Sequence, residues 1–220
     1  VRKASALVAA VLVAGTTIAS HAADPVGGFM LRGGYVHLGV SAARQADQGS
    51  LGVGGVPLAG AGYATNLTIA PSLEAGLVLR GGFGVSVFAT GPMTTPNRGA
   101  GILTAFGDLG DETNAFFALT AHYHLPVSTW LTPYFGGGLG YMQVLGTKDG
   151  VITNFHVNSA PGWVLQAGLD MRIRDNVGAF ADVKRYFLST TATGDLGPAA
   201  AVAQARVDPW IISTGLAFTY

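Results

Sequence analysis

Two histidines one residue apart, His122 and His124, close the run Ala118-Leu119-Thr120-Ala121-His122-Tyr123-His124. Alternate side chains of a strand share a face, so both imidazoles point the same way, at a spacing that some metal sites use. A catalytic zinc takes three protein ligands and no third is evident, so the pair reads as part of a polar network and not as a metal site. Other ionisable groups obey the same alternation. Glu74 and Arg80 oppose Leu73 and Leu77, Asp170 and Arg172 oppose Leu169 and Met171, and Asp182 and Lys184 oppose Ala181 and Val183. Arg32 opposes Leu31, Gly33 and Tyr35. Arg32, Glu74, Arg80, His122, His124, Asp170, Arg172, Asp182 and Lys184 thus carry both signs on one parity, and pairing across neighbouring strands would neutralise them as an interior plug. A role in gating or ligand selection is the alternative. There is no nucleophile elbow, phosphate loop or HExxH run, so the chain is read as no enzyme, with no catalytic residue and no cofactor.

Eight strand-like segments would position these groups: Phe29 to Val40, Thr68 to Arg80, Phe83 to Met93, Asn114 to Leu125, Thr132 to Leu145, Gly162 to Ile173, Val177 to Thr190 and Trp210 to Tyr220. The last is the clearest. Trp210, Ile212, Leu216, Phe218 and Tyr220 share one parity, while Ile211, Ser213, Gly215, Ala217 and Thr219 share the other. About ten residues of that pattern is one transmembrane β-strand, and a terminal aromatic suits the membrane interface. In the seventh segment Arg185 breaks an otherwise apolar parity, as a bulge or a position near the membrane edge would allow. Short connections near 81–82, 126–131 and 174–176 alternate with long ones at about 41–67, 94–113, 146–161 and 191–206. That is the rhythm of periplasmic turns and extracellular loops, with both termini periplasmic.

Composition agrees. Arg2 and Lys3, the uncharged run Ala4 to Ala19 and then Ser20-His21-Ala22 make a signal peptide over 1–22, leaving one domain, an outer-membrane barrel, over 23–220. Without the two leader cations, ten basic residues face twelve acidic ones, a net charge of −2, which excludes the basic excess of a nucleic-acid binder. Charged residues are 11% of the chain, against roughly 25% in soluble domains. Past the leader, no apolar run approaches the roughly 18 residues of a spanning helix. There is no cysteine, hence no disulfide or thiolate site. A lipocalin also has eight antiparallel strands, but its interior is apolar and its exterior polar, the reverse of this alternation. The fold expected is all-β, an eight-stranded antiparallel transmembrane β-barrel of the outer-membrane type, in a Gram-negative bacterium. Eight strands leave room for side chains or one slim ligand, and no open aqueous pore.

The first long loop sets Leu51, Val53, Val56, Pro57, Leu58, Ala59 and Tyr63 among glycines. It is either a surface loop packed on the barrel mouth or an apolar funnel that takes a hydrophobic solute from water. In the second reading Leu51, Val53, Val56, Leu58 and Tyr63, with Phe88 and Tyr134 on the strands, line the ligand pathway. A plug in the periplasmic half would send such a solute sideways through the wall.

Several stretches resemble the OmpW-type outer-membrane proteins. Leu131-Thr132-Pro133-Tyr134-Phe135-Gly136-Gly137-Gly138-Leu139-Gly140-Tyr141 is similar to the family's Pro-Tyr strand, and Ala118 to His124 to the strand before it. Ala181-Asp182-Val183-Lys184 with Ser189-Thr190-Thr191-Ala192 resembles the penultimate strand, and Val207-Asp208-Pro209-Trp210 opens the last one in the right order. Departures are Arg185-Tyr186-Phe187-Leu188 and the end Phe218-Thr219-Tyr220. The resemblance implies a monomeric barrel with a narrow apolar channel for passive uptake of small hydrophobic molecules. The alternative is a non-transporting barrel with a structural, adhesive or stress-protective role at the surface. Expected partners are outer-membrane lipid and lipopolysaccharide, a small hydrophobic solute, and the barrel-insertion machinery, which would read the C-terminal strand. Replacing Tyr220 with a polar residue should therefore impair outer-membrane assembly, measured as loss of the heat-modifiable band on a gel. Unchanged assembly would separate this end from insertion.

Overall fold

The computed structural model describes residues 31–45, 48–53 and 56–220. The expected leader at 1–22 and the start of the first segment at Phe29 lie outside the described residues. In chain order the strands are β1 (Leu31–Arg44), β2 (Gln48–Val53), β3 (Val56–Pro57), β4 (Ala61–Thr65), β5 (Thr68–Leu79), β6 (Phe83–Thr90), β7 (Met93–Gly101), β8 (Asp108–His124), β9 (Leu131–Asp149), β10 (Thr153–Val157), β11 (Ala160–Arg174), β12 (Val177–Leu196), β13 (Ala199–Arg206) and β14 (Trp210–Thr219). Eight of them form the barrel wall in the order β11-β9-β8-β6-β5-β1-β14-β12, and β12 pairs back with β11 to close it. Every ladder is antiparallel, and the eight strands close on themselves as a membrane-spanning sheet must.

The outer face is apolar where lipid should lie. Leu38, Val40, Val85, Leu119, Leu139, Leu165, Ile212 and Leu216 all stand exposed. Two aromatic levels bound them. Near the short turns, Phe83 meets Tyr123 edge-on with centroids 5.0 Å apart, and Tyr123 meets Phe135 at 6.3 Å. Toward the long-loop end lie Tyr141, Trp163 opposite Phe187, and Trp210 opposite Arg185. Rings at both levels with aliphatics between them are the interface girdles of an outer-membrane barrel.

Arg185 is explained at the upper girdle. Its guanidinium lies 4.9 Å over the Trp210 ring and 5.6 Å over Phe187, and it donates to the Asp208 carbonyl. Asp208 ties the chain together there: its carboxylate accepts from the Leu188 N–H at 2.9 Å and lies 3.3 Å from Arg206 Nε. The register crosses a seam at this level. β12 pairs with β14 up to Arg185↔Trp210 and with β13 from Ser189↔Arg206, while β1 ends at Arg44↔Trp210 and β2 resumes at Gln48↔Arg206.

Above the seam, segments expected as long loops are largely strands. β7 pairs with β8 and β4, β13 joins β12 to β2, and β10 lies on β12. The expected third segment breaks at Gly91-Pro92, where Gly91 N–H bonds the Pro71 carbonyl at 2.8 Å. A second correction concerns β1. A bulge between Leu31 and Gly33 shifts its parity, so Tyr35, expected on the outer face, is inside and 3% exposed.

Interior glycines make room for rings from the next strand. A Cβ at Gly76 would sit 2.5 Å from Tyr35 Cε1, and one at Gly140 would sit 2.6 Å from Tyr186 Cδ1; Tyr134 covers Gly168 in the same way. Each tyrosine thus lies flat across a neighbouring strand and fills a narrow lumen without widening the wall. Alanine at Gly76 or Gly140 should lower stability by about 1–3 kcal/mol through overpacking. Urea unfolding in lipid vesicles would measure it, with alanine at exposed Gly146, where a Cβ meets nothing within 4 Å, as the neutral control.

Candidate functional site

The inner face of β8 is a section through the molecule. From the short-turn end it presents His124, His122, Thr120, Ala118, Phe116, Asn114 and Glu112, all buried. Histidines come first, then the ionic level, an apolar shelf, and a second polar level.

At the ionic level Lys184 is 0% exposed and its Nζ lies 2.7 Å from Glu74 Oε2 and 2.5 Å from Asp182 Oδ1. Gln166 donates to both carboxylates, at 3.0 Å to Glu74 and 2.9 Å to Asp182. Ser86 and Tyr35 donate to Glu74 at 2.7 and 3.1 Å, and Tyr134 donates to Asp182 at 3.1 Å. The Phe88 ring caps the ammonium at 4.1 Å. A buried charge is tolerable only when paired and hydrogen-bonded, and this one has two carboxylates and the face of a ring around it.

Below it, Tyr35 Oη lies 3.0 Å from His122 Nε2. Because Tyr35 gives its single proton to Glu74, we assign the His122 proton to Nε2, donating to Tyr35. His37 stacks on Phe180 with centroids 4.2 Å apart, and its Nε2 lies 3.0 Å from Asp170 Oδ1. That contact is out of line for a hydrogen bond, and we read it as electrostatic. Asp170, with 22% of its side chain exposed, marks where the cluster meets solvent at the short-turn end. Among the described residues, no group of three or more His, Asp or Glu side chains is placed to hold a metal.

Over the ions lies a buried, mainly apolar shelf of Phe88, Phe116, Met142, Val164, Tyr186 and Ile211. Above it, Gln45 Nε2 and Asn114 Nδ2 donate to Glu112 Oε1 at 2.8 and 3.1 Å. Over this polar floor opens a cavity with about 640 Å³ of empty space including its mouth, walled mainly by Tyr63, Leu103, Leu109, Ile152, Phe155, Val157 and Ala205. Small-molecule pockets are mostly apolar with a few polar groups, which is the composition of this lining. The turn after β9 shapes one wall: Asp149 accepts from the N–H groups of Asn154 and Phe155 at 3.1 and 2.9 Å. Phe155 then packs over Gly110, where a Cβ would approach its Cδ1 to 2.8 Å.

The barrel wall parts beside this cavity. The β9–β11 ladder stops at Met142↔Ala160, and β10 above it pairs with β12 instead of β9. The opening holds about 570 Å³ of empty space between 144–147 and 156–159, and Val157 lines both it and the cavity.

Of the expected plug, Glu74, His122, His124, Asp182 and Lys184 are buried together, and Asp170 closes the lower end. Arg80 and Arg172 are not part of it: β5 ends at Leu79 and puts Arg80 in an exposed turn, and Arg172 is exposed near the end of β11. The Arg32 side chain lies outside the described residues. Of the expected pathway, Tyr63 lines the cavity. Phe88 and Tyr134 instead belong to the shelf and the plug, because their strands place them below the polar floor. Val56 is exposed, Val53 and Leu58 are half-buried away from the cavity, and the Leu51 side chain is not described. The first loop reaches the cavity through Gln45, Gly62 and Tyr63, and its stretch Gln48–Val53 pairs with β13 instead. Sequence reasoning missed Tyr35, Ser86, Thr120 and Gln166, whose neutral side chains carry no charge signal, and the walls from the other three loops. The alternation Phe155-His156-Val157 was a usable sign of one of those walls.

Residues 26–220 match the OmpW family. The chain is 31% identical over 125 residues to the dibenzothiophene metabolism operon protein PahQ of Pseudomonas aeruginosa, which covers 57% of this chain and 59% of that protein. The chain thus spans well under two thirds of that relative's length. It is 24% identical over 174 residues to the outer membrane protein AlkL of Ectopseudomonas oleovorans, covering 79% of this chain and 76% of that one. The crystal structure of the outer membrane protein OprG of Pseudomonas aeruginosa superposes with a TM-score of 0.78 at 18% identity, covering 86% of this chain and 95% of that one, and shares the fold.

The ion cluster makes its own test. Lys184→Met leaves Glu74 and Asp182 facing each other and should cost about 3–5 kcal/mol in vesicle-based urea unfolding. Combining it with Glu74→Gln and Asp182→Asn should recover most of that loss, since no uncompensated charge remains. A triple variant no more stable than Lys184→Met would show that packing, not charge, is what the lysine supplies.

Proposed function

The chain belongs to the OmpW family and sits in the outer membrane of a Gram-negative bacterium, and we propose that it mediates passive uptake of small hydrophobic molecules. The observation that carries this reading is an apolar cavity above a sealed lower barrel, with an opening in the wall beside it. A solute entering from outside leaves water for aliphatic and aromatic walls, which favours capture by roughly 25 cal/mol per Å² of apolar surface removed from water. It meets the shelf of Phe88, Phe116 and Tyr186 below, with the Lys184 cluster beneath that, so no water-filled path continues to the periplasm. The way on is lateral, past Val157 and between β9 and β10. Leu145, exposed at that opening, lies just beyond Tyr141 of the upper girdle, so the exit gives onto the outer leaflet. No energy coupling is needed, because the solute moves down its partition gradient. PahQ, whose name ties it to the metabolism of the apolar aromatic dibenzothiophene, is in keeping with such a solute.

Refolded protein in vesicles with a lipopolysaccharide outer leaflet should accelerate entry of a hydrophobic tracer over protein-free vesicles. Val157→Trp, which fills the junction of cavity and opening, should return the rate to the protein-free value while keeping the heat-modifiable band. If the folded wild type gives no acceleration, the uptake reading is lost. If Val157→Trp remains as fast as wild type, only the lateral route is lost.

A further inference from the structure

An apolar cavity for hydrocarbons has no need of a carboxyl group, yet Glu112 lines this one and is 4% exposed. It stands outside the lipid-spanning part of β8, opposite Thr147 of β9 and Thr95 of β7. There the outer face carries a Thr94–Thr113 hydrogen bond and a Lys148–Asp111 ion pair instead of aliphatics. Among the described residues Glu112 has no cationic partner: no residue lining the cavity is Lys, Arg or His. The cations on the surrounding strands, Arg44, Arg98, Lys148, His156 and Arg206, are all exposed. Both hydrogen bonds that Glu112 receives come from amides and converge on Oε1. Beside it Asn114 Oδ1 is buried without a hydrogen-bond partner. The floor therefore presents a carboxyl group to the cavity, with one unpartnered amide oxygen behind it, and apart from Gln45 the only other polar side chains of the lining are Tyr63, Asn97 and Thr190.

We propose that Glu112 selects, among apolar solutes, those bearing a hydroxyl group, and holds that hydroxyl at the floor of the cavity. The inference rests on the uptake reading for its context and names the chemical class that the same cavity takes. A saturated hydrocarbon would fill the walls but leave the floor as unsatisfied as before. An anionic head would face a carboxyl group with no counter-ion. An ammonium would have to shed its water for one carboxyl among aliphatic walls. A hydroxyl both donates and accepts, and so bonds the carboxyl in either protonation state. Burial pushes the Glu112 carboxyl up, and the amides of Gln45 and Asn114 pull part of the way back, so it keeps its proton to higher pH than an exposed glutamate.

The test is equilibrium binding of 1-octanol, octane and octylamine to the full refolded chain in nanodiscs, by saturation-transfer NMR, with empty nanodiscs as the partition baseline. Wild type should bind 1-octanol about tenfold more tightly than octane after that correction, as one hydrogen bond to an unsatisfied buried group allows. Glu112→Leu should bring the two within about twofold. Glu112→Gln, whose amide also donates and accepts, should keep most of the preference and guards against misfolding as the cause. A preference that survives in Glu112→Leu overturns the proposal. So does a Glu112-dependent gain for octylamine in place of 1-octanol. Because binding is read without flux, a wild type that prefers octanol but moves no tracer would sink the uptake reading alone. One that moves tracer without preference would sink this inference alone.

Discussion

An ammonium with no exposed surface, Lys184, sets the terms for the rest of this barrel. In a lumen sealed from water it needs counter-charge and hydrogen bonds from the protein itself. Glu74 on β5 and Asp182 on β12 supply the charge, and Tyr35 on β1, Ser86 on β6, Tyr134 on β9 and Gln166 on β11 satisfy the carboxylates. Thr120 on β8 holds Gln166 through a 2.8 Å bond. β14 joins through Ser213, 2.6 Å from Ser41 of β1. Seven of the eight wall strands thus meet in one cluster, and β14 runs beside it with Ser213 opposite Asp182 in the ladder, so the cluster ties their register together as well as closing the lower lumen. The glycines follow from the same demand: tyrosines can reach the centre only by lying across neighbours that have no side chain.

The fold was legible in the sequence because lipid enforces a period of two on every spanning strand. Trp210 to Tyr220 and Thr132 to Leu145 show it most clearly, and their outward Trp210, Ile212, Leu216, Phe135, Leu139 and Tyr141 stand exposed in the structure. Parity gives the face of a residue but not its height. Arg80 and Arg172 share parity with Glu74 and Asp170, yet they sit where their strands run out into solvent. Parity also fails across a bulge, which is how Tyr35 came to be placed on the wrong side. Arg185 is the converse case. Its misfit on an apolar face was visible, and the girdle ring and Asp208 that resolve it lie more than twenty residues away in the chain.

The upper cavity was hidden for a different reason. Leu103, Phe155 with Val157, and Ala205 come from three separate stretches of the chain. Nothing local marks them as neighbours; the ladders β12–β13, β13–β2 and β4–β7 bring them together. The first loop, the most apolar by composition, attracted the functional reading, yet it contributes Tyr63 and spends most of its remaining residues on strand pairing. Apolar content is thus a poor guide to a binding surface when the same residues can serve an edge.

The seam at Asp208 divides the labour of the molecule. Below it the sequence answers to the membrane and to a cluster drawn from seven of the eight wall strands, so a change at one position is felt on several strands. Above it β8, β9 and β12 run on without a break, while the other ladders are short and local, and beside β12 Gln45 and the run Val207 to Pro209 interrupt both neighbouring strands at one level. The molecule is in effect a fixed socket carrying an exchangeable head. Chemistry toward new solutes can be rewritten in the head while the socket, and with it the capacity to fold in a membrane, is left untouched.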